Sequence, residues 1–359
     1  RILLSGQVLL TPEEALYWQT GYFSQPVTYL DSPLLSWLVK FSTALFGNNE
    51  TAVRLPSLLS VTLGSFYIAL LAAVMFSWHT GLHVTVLSQG ILQFNLLALL
   101  ISPYSLVFTT WSAVCYHASK AMHSHRTGEW LFAGFWFGIG LLCNFSMVLL
   151  LPCIVLCFIL IRPFRVCLFY PGPWLAFLFS LFIVGGILFW MADDSLLIRF
   201  KTMDVEQVKH FMVPDFSYSL QFLLDQTILL TPFVFLLVLI AWAPGISRRD
   251  FVAADARFLV LTSLPLFVFF IVFPGFADHG PVWTAPLYIT AIVLLAGLHS
   301  STRSNFKGRP KLRWVLACIS AYLVTLPLLV QLVYPTSQFP FTVSQTRFMN
   351  SGWNGLGQE

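Results

Sequence analysis

The sequence carries very little charge. Only 9% of its 359 residues are Asp, Glu, Lys or Arg, whereas a soluble domain has about 25%. Hydrophobic residues make up 57% of the chain, so too few polar side chains remain to cover a soluble globule. The formal net charge of +4 is too small to indicate a nucleic-acid partner. Composition therefore excludes a soluble globular protein and indicates a polytopic membrane protein.

Cysteine and histidine motifs are also missing. The six cysteines form no C-x-x-C pair, and no set of histidines lies near them. Because such motifs are typical of redox and zinc sites, we expect no required cofactor. We interpret the cysteines as small buried hydrophobic side chains. Asp278 and His279 leave a divalent metal as an alternative, although two ligands do not make a metal site.

Long apolar runs recur along nearly the whole chain. A hydrocarbon core of about 30 Å requires about 20 helical residues. We predict an all-α integral membrane protein with a transmembrane domain over residues 1–335 and a short outer tail over 336–359. Residues 1–10 are interpreted as the end of a truncated helix. The predicted spans lie near 55–76, 82–101, 105–121, 130–143, 145–162, 173–191, 220–243, 258–275, 281–298 and 314–334.

Basic and acidic residues separate between the two faces. When loops are assigned alternately, one set holds twelve of the nineteen Lys and Arg residues, and the other holds eleven of the fifteen acids. The positive-inside rule makes the basic loops cytoplasmic. The opposite face carries two long outer loops, 11–52 and 192–219. The working face is therefore expected on the outer side, which is the periplasm in a bacterium and the lumen in a eukaryote. Of these two, we expect a bacterial inner membrane.

The first outer loop contains a predicted interfacial helix over Ser32–Phe46. Its apolar side chains fall on one face, a pattern typical of a helix lying in the membrane interface. Gly47 ends the helix. The opposite face carries Ser32, Ser36, Lys40 and Thr43.

Short motifs follow one another in a fixed order. The first outer loop and the next span contain Thr11-Pro-Glu-Glu-Ala-Leu-Tyr-Trp18, Gly21-Tyr-Phe23, Leu30-Asp-Ser-Pro-Leu-Leu-Ser-Trp-Leu38, Leu45-Phe-Gly-Asn-Asn-Glu50 and Arg54-Leu-Pro-Ser57. Later motifs are Pro171-Gly-Pro-Trp174, Trp283-Thr-Ala-Pro-Leu-Tyr288 and Gly352-Trp353. Together these motifs resemble the C-type (GT-C) membrane glycosyltransferases, in particular the protein-mannosyltransferase-like and aminoarabinose-transferase-like members.

The resemblance implies a GT-C helical bundle whose outer loops form the roof of an active site. It also implies transfer of a sugar from a polyprenyl-phosphate carrier to a glycan, lipid or protein acceptor, with inversion at the anomeric carbon. The family's catalytic Asp falls on Glu13, and its second acid falls on Glu14. Asp31 falls in the family's D-H-P-P motif and is expected to shape the acceptor pocket.

The residues themselves offer a simpler interpretation of Thr11-Pro-Glu-Glu14. Thr11 suits a helix N-cap, Pro12 suits the first helical position, and acids are stabilised by the helix dipole. The two interpretations are compatible, because a helix start would hold a base rigidly. Adjacent residues point in different directions on a helix. One acid would therefore face the site, while the other would cap the helix or orient the first acid.

A leaving phosphate needs hydrogen-bond donors or positive charge on the outer side. The predicted phosphate ligands are Arg54, Asn144, Arg199, Lys201 and His279. Arg54 could instead snorkel from a helix end, and Arg199 and Lys201 could form a solvated loop face. The predicted substrate pocket consists of Tyr17, Tyr22, Tyr104, Asp278 and Trp283. Outer aromatic rings suit either sugar stacking or the interfacial belt.

Two positions depart from the family pattern. Tyr104 stands where relatives have the Asp of T-P-D, and Asn144 stands where relatives have the Lys of S-K-Y-T. These departures motivate a second hypothesis, a catalytically silent relative that binds the lipid carrier or a partner. A transporter of lipid-linked sugar is a third, which the crowding of polar residues in the outer loops disfavours. Asp225, inside a predicted span, either makes a structural hydrogen bond or meets substrate.

Overall fold

The computed structural model describes residues 1–7, 10–23, 32–190, 216–247, 252–273, 283–300 and 310–333. Within these ranges the chain is helical and contains no β-strand, as the sequence predicts. The first helices are α1 (Ile2–Ser5), α2 (Pro12–Phe23), α3 (Pro33–Phe46), α4 (Glu50–Met75), α5 (Trp78–Gly90), α6 (Leu92–Leu99), α7 (Pro103–Ser124) and α8 (Thr127–Cys143).

The second half of the bundle includes two 3₁₀ helices, η1 (Phe145–Leu149) and η2 (Arg162–Phe169), which flank α9 (Leu150–Leu160). The remaining helices are α10 (Pro171–Trp190), α11 (Phe216–Leu230), α12 (Pro232–Ser247), α13 (Val252–Leu261), α14 (Leu264–Val272), α15 (Ala285–Ser300) and α16 (Pro310–Val333). Each predicted span overlaps one of these helices or two or three consecutive ones.

By length and composition, three helical stretches in the described part of the chain are able to cross a membrane, namely Glu50–Met75, Ala254–Val272 and Leu312–Gln331. The number rises to six if each bent helix pair counts as one span. The axis turns by 70° between α5 and α6, by 110° between α9 and η2, and by 108° between α11 and α12. Sequence hydropathy therefore located the apolar segments and the end of α9, but not the breaks between α5 and α6 or between α11 and α12.

Residues 220–243 illustrate such a break. The prediction of one continuous span is wrong, because α11 ends at Leu230 and α12 begins at Pro232. Thr231 between them has a φ of +72°. Proline lacks an amide hydrogen and disfavours helical geometry at the residue before it, so the helix cannot continue in a straight line.

Side chains pair the backbone groups that the α5–α6 break releases. Thr325 Oγ1 of α16 donates to the carbonyl oxygen of Gly90 at 2.7 Å. Asn95 Nδ2 donates to the carbonyl oxygens of Gln89 and Ile91 at 2.9 and 2.8 Å. A broken helix is tolerated at membrane depth when neighbouring groups satisfy its backbone in this way.

Small and hydroxyl side chains let α4 and α7 pack closely. Ser60 Oγ of α4 donates to the carbonyl oxygen of Ser105 at 2.9 Å, and Ser105 Oγ donates to Ser57 Oγ at 3.0 Å. A Cβ on Gly64 would lie only 2.7 Å from the Phe108 ring. Glycine, serine and threonine at such contacts are typical of helix packing in membranes.

The helix α3 has the predicted limits. Ser32 Oγ accepts a hydrogen bond from the Leu35 amide at 3.3 Å, and Gly47 ends the helix with a φ of +82°. The predicted polar face lies against the bundle, because Ser36 and Thr43 are buried. Ser32 is buried as well, and among the four predicted polar-face residues only Lys40 is exposed.

Large apolar side chains of α3 point away from the bundle instead. Phe41 is 65% exposed and Phe46 is 61% exposed. Ser42 Oγ donates to the carbonyl oxygen of Ala52 on α4 at 2.6 Å. The small polar side chains thus allow close packing on α4, while the bulky apolar ones face the surroundings, which suits lipid better than water.

The six cysteines are all free. Five of them are buried, and Cys318 is half-buried. The interpretation of the cysteines as small hydrophobic side chains of the core is therefore confirmed for the five buried ones.

An ion pair joins the last turn of α7 to the first turn of α13. His123 Nε2 lies 2.9 Å from Asp255 Oδ1, and His123 Nδ1 lies 2.8 Å from the carbonyl oxygen of Ser119. The neighbouring Asp255 carboxylate and the Ser119 carbonyl raise the pKa of His123, and this effect outweighs the opposing effect of burial. The stabilising form is therefore the imidazolium.

This pair gives the fold a pH dependence. Its contribution to stability is full below the ordinary histidine pKa of 6.5 and is lost as pH rises through the higher folded-state pKa. We expect Asp255→Asn to lower the free energy of unfolding by about 1 kcal/mol at acidic pH and to have less effect at alkaline pH. Thermal unfolding in detergent, followed over the histidine titration range, measures this difference. His79→Asn, at an exposed histidine, is the control, and an equal pH slope in both variants would contradict the assignment.

Candidate functional site

The two adjacent acids of α2 have different environments. Glu13 is exposed, whereas Glu14 is fully buried. Thr11 and Glu14 form a reciprocal capping box. The Glu14 amide donates to Thr11 Oγ1 at 3.2 Å, and the Thr11 amide donates to Glu14 Oε2 at 2.8 Å. The interpretation of this segment as a capped helix start is confirmed, and the sequence-based expectation that one acid caps is met by Glu14.

A buried arginine binds Glu14 through two nitrogens. Arg54 Nε donates to Glu14 Oε1 at 2.9 Å, and Arg54 Nη2 donates to Glu14 Oε2 at 2.6 Å. Neither side chain is exposed to solvent. Arg54 Nη1 donates to the carbonyl oxygen of Ser5 at 2.7 Å, and the Ile101 amide donates to Glu14 Oε1 at 3.0 Å. This bidentate geometry is a strong form of ion pair.

The contacts of Arg54 bear on its predicted role. Its guanidinium joins α1, α2 and α4, and it faces the protein interior. The structure thus supplies a structural account of Arg54 as the partner of Glu14. Phosphate binding by Arg54 stays a prediction, and the burial of the pair weighs against it.

Aromatic side chains collect where α7 and α15 begin. The Tyr104 and Trp283 rings meet edge to face with centroids 6.2 Å apart, and Trp283 and Phe270 meet at 5.1 Å. Trp283 also lines a cavity of about 20 Å³ with Trp111 and Ser146. That volume holds about one water molecule, so this cavity is too small for a sugar ring.

Asn144 lies between α8 and η1. Its Oδ1 accepts a hydrogen bond from the Ser146 amide at 2.8 Å, so the side chain acts as the N-cap of η1. Ser146 in turn lines the small cavity beside Trp283. The structure therefore brings Tyr104, Trp283 and the Asn144 segment into one region.

Sequence reasoning missed a buried polar chain that ends at this region. Gln93 Nε2 donates to Thr284 Oγ1 at 3.0 Å, and Thr284 Oγ1 donates to Gln226 Oε1 at 2.9 Å. All three side chains are fully buried or nearly so. Glutamines inside two predicted spans were the available signal, because amides in a membrane helix need partners. Asp225, next to Gln226, accepts a hydrogen bond from Gln221 Nε2 at 3.1 Å. Of the two interpretations of Asp225, this contact agrees with the structural hydrogen bond.

The other predicted site residues divide into two groups. Tyr17 is 7% exposed and packs in the hydrophobic core, and Tyr22 belongs to α2. The others lie outside the described residues, so their roles stay predictions: Asp31, Arg199, Lys201, Asp278 and His279.

In the part of the chain that the structure describes, no group of three or more His, Cys, Asp or Glu side chains could hold a metal ion. Asp278 and His279, which motivated the metal alternative, lie outside that part.

An open apolar groove runs between α3, α4, α7 and α8. Its volume is about 410 Å³, within the usual range for ligand sites. The groove includes Cys143, the neighbour of Asn144, and Leu106, two residues after Tyr104. Exposed Phe41 and Leu59 form part of its rim. The groove therefore connects a lipid-facing surface to the segments that carry the predicted site.

Comparison with solved structures identifies the fold. ArnT from Cupriavidus metallidurans in the apo state has a TM-score of 0.66 and 14% identity, over 92% of this chain and 74% of that chain. ArnT bound to undecaprenyl phosphate has a TM-score of 0.67 and 16% identity, over 96% and 65%. The oligosaccharyltransferase AglB from Archaeoglobus fulgidus, in complex with an inhibitory peptide and a dolichol-phosphate, has a TM-score of 0.56 and 12% identity, over 92% and 53%.

These likenesses define the class as the helical, polytopic GT-C membrane fold. The chain is thus an integral membrane protein. Residues 27–190, a little under half of the chain, match the family model of dolichyl-phosphate-mannose-protein mannosyltransferases. This match confirms the predicted mannosyltransferase-like resemblance over residues 27–190, and the solved structures confirm the predicted GT-C fold. No curated protein sequence matches the chain.

The geometry predicts that the two acids contribute differently to stability. Glu14→Ala should lower the free energy of unfolding by about 3–5 kcal/mol, because it leaves the buried Arg54 charge without its partner. Glu13→Ala should change it by no more than about 0.5 kcal/mol, since Glu13 is exposed. Chemical unfolding of the purified protein in detergent measures both values. Similar losses from the two substitutions would contradict the assignment of Glu14 as the structural acid.

Proposed function

We propose that the protein is a glycosyltransferase that moves a sugar from a polyprenyl-phosphate carrier to an acceptor hydroxyl, with Glu13 as the general base. The observation that carries this proposal is that the two adjacent acids, Glu13 and Glu14, lie in different environments. Glu14 anchors the start of α2 inside the protein, which leaves the neighbouring Glu13 carboxylate exposed on a fixed helical turn. The GT-C fold and the family match support the reaction class.

The proposed reaction is a single inverting displacement. The Glu13 carboxylate accepts the proton of the acceptor hydroxyl as the acceptor oxygen forms a bond to the anomeric carbon. The bond from the anomeric carbon to the carrier phosphate breaks, and the phosphate leaves with the electron pair as polyprenyl phosphate. Cationic groups must stabilise that charge, and Arg199, Lys201 and His279 are the candidates. Asp31 is proposed to shape the acceptor pocket.

The apolar groove supports a polyprenyl carrier. A polyprenyl chain is wholly hydrocarbon, and the groove between α3, α4, α7 and α8 is lined almost entirely by apolar side chains. A chain lying there would bring its phosphate toward the Asn144 and Tyr104 segments. The solved ArnT structure with undecaprenyl phosphate is consistent with this class of ligand for the fold.

The sidedness of the reaction follows from the charge distribution. The acidic loops include the segment of Glu13, and the positive-inside rule assigns them to the non-cytoplasmic face. We propose that this face is periplasmic, in a bacterial inner membrane. The acceptor is a glycan, lipid or protein on that side.

Substitution of the proposed base tests the mechanism. Glu13→Gln should lower turnover of a polyprenyl-phosphate sugar by about 10²- to 10⁴-fold, the usual contribution of a general base. The measurement is sugar transfer from undecaprenyl- or dolichyl-phosphate donors by purified protein in detergent or nanodiscs. The free energy of unfolding should be unchanged, since the Glu14–Arg54 pair remains.

The control for this experiment is Glu50→Gln, which neutralises an acid at the first position of α4 on the same predicted face. Its turnover should stay close to that of the parent. Unchanged turnover in Glu13→Gln would remove Glu13 as the base, whereas an equal loss in both variants would point to a general effect of surface charge.

Two observations favour a second candidate, a catalytically silent relative that binds the lipid carrier. Asn144 is uncharged and its carboxamide oxygen caps η1, and Tyr104 packs against Trp283. Separate measurements of binding and turnover distinguish the two candidates. Polyprenyl-phosphate binding without turnover in the parent protein would favour the silent relative and exclude the proposed reaction.

A further inference from the structure

The 3₁₀ helix η2 packs against the end of α7, where the Phe164 and His123 ring centroids lie 5.6 Å apart. The helix axis turns by 110° between the segment that ends with α9 and the helix η2. The next helix, α10, begins at Pro171 and packs along α8. The exposed side chains of η2 include Val166 at 50% and Phe169 at 90%. Exposed apolar side chains on a segment that crosses the end of a membrane bundle are typical of an interfacial element.

Two exposed arginines lie on the same short helix. Arg162 begins η2 and Arg165 follows one turn later. Arg165 Nε donates to the carbonyl oxygen of Ile159 at 2.8 Å, which fixes the base of the guanidinium. Among the ion pairs of the described residues, none involves Arg162 or Arg165. By contrast, the nearby Lys120 is paired with Glu129 at 2.6 Å.

An apolar cavity of about 290 Å³ opens beside η2. Leu168 of η2, Phe158 of α9 and Trp174 of α10 line it at the end nearest the arginines. Trp174 Nε1 donates to the carbonyl oxygen of Leu168 at 2.9 Å, so η2 and α10 form a fixed rim. Val155 is 49% exposed and lines the same cavity, which shows that the cavity opens toward the lipid-facing surface.

We propose that this cavity and η2 form a binding site for an anionic glycerophospholipid. One acyl chain occupies the cavity, and the headgroup phosphates lie against Arg162 and Arg165. Arginine suits this role because its planar guanidinium binds phosphate oxygens in pairs. Basic residues at the membrane surface favour anionic lipids over zwitterionic ones. The site is separate from the groove proposed for the polyprenyl carrier, which lies between α3, α4, α7 and α8.

Native mass spectrometry of the full, delipidated chain in detergent tests the proposal. The probes are phosphatidylglycerol and phosphatidylcholine with the same acyl chains. We expect one tightly retained phosphatidylglycerol and weaker phosphatidylcholine binding. The double variant Arg162→Gln/Arg165→Gln should weaken phosphatidylglycerol binding by about ten- to thirtyfold, because it removes two charged contacts. It should weaken phosphatidylcholine binding much less, because the choline ammonium offsets the charge of that lipid's phosphate.

A second variant tests the acyl-chain cavity. Val155→Trp places a large side chain at the open cavity wall, so it should weaken binding of both lipids. Val330→Trp, at a similarly exposed valine of α16, is its control, and Arg126→Gln is the control for an exposed arginine outside η2. Thermal unfolding verifies that each variant is folded.

Three results would overturn the proposal. Equal retention of the two lipids by the parent would show that the headgroup is not recognised. If Arg126→Gln weakened phosphatidylglycerol binding as much as the double variant of η2, the binding would depend on surface charge in general and not on η2. Competition between undecaprenyl phosphate and phosphatidylglycerol for the same bound position would make this a carrier site instead.

Discussion

The buried ion pair between Glu14 and Arg54 constrains the arrangement of the site. Two charges withdrawn from solvent are tolerated only when their hydrogen-bonding capacity is met. Here the Glu14 carboxylate accepts from Arg54 Nε and Nη2 and from the amides of Thr11 and Ile101. These donors come from the start of α2, from α4 and from the segment before α7. The pair therefore fixes the first turn of α2 to the bundle, and the neighbouring Glu13 has a defined position without needing packing of its own.

In a water-soluble protein, large apolar side chains are mostly buried and small polar ones are mostly exposed. Parts of this bundle show the opposite arrangement. Hydroxyl and glycine residues such as Ser60 and Gly64 lie between helices, while Phe41 and Phe182 are 65% and 74% exposed. Lipid offers no hydrophobic driving force for burying large apolar side chains, so close backbone approach and hydrogen bonds hold helices together. This arrangement explains why α3, interpreted as an interfacial helix with its polar side chains on one face, turns its serines and threonine inward.

Local signals were sufficient to predict much of the fold. Ser32 and Gly47 gave the limits of α3, and Thr11 and Pro12 gave the capped start of α2, because caps depend on neighbours in sequence. The partner of Glu14 lies forty residues away on α4. The chain from Gln93 through Thr284 to Gln226 joins α6, α11 and the residue before α15. Such contacts depend on how the helices pack, and periodicity does not specify that packing. The α5–α6 break was missed for the same reason, since its carbonyls are paired by Thr325 of α16.

The electrostatics of the described site impose a condition on sugar transfer. A departing phosphate gains negative charge and needs cations nearby, yet Arg54 is neutralised by Glu14, and Asn144 is an uncharged cap. The cations for the proposed reaction must then come from segments such as those of Arg199, Lys201 and His279. A silent relative has no such requirement during a reaction, because an apolar groove is able to hold a hydrocarbon chain without stabilising a leaving group. Charge at the phosphate, more than the presence of a base, is therefore the property that separates an enzyme from a binding protein on this fold.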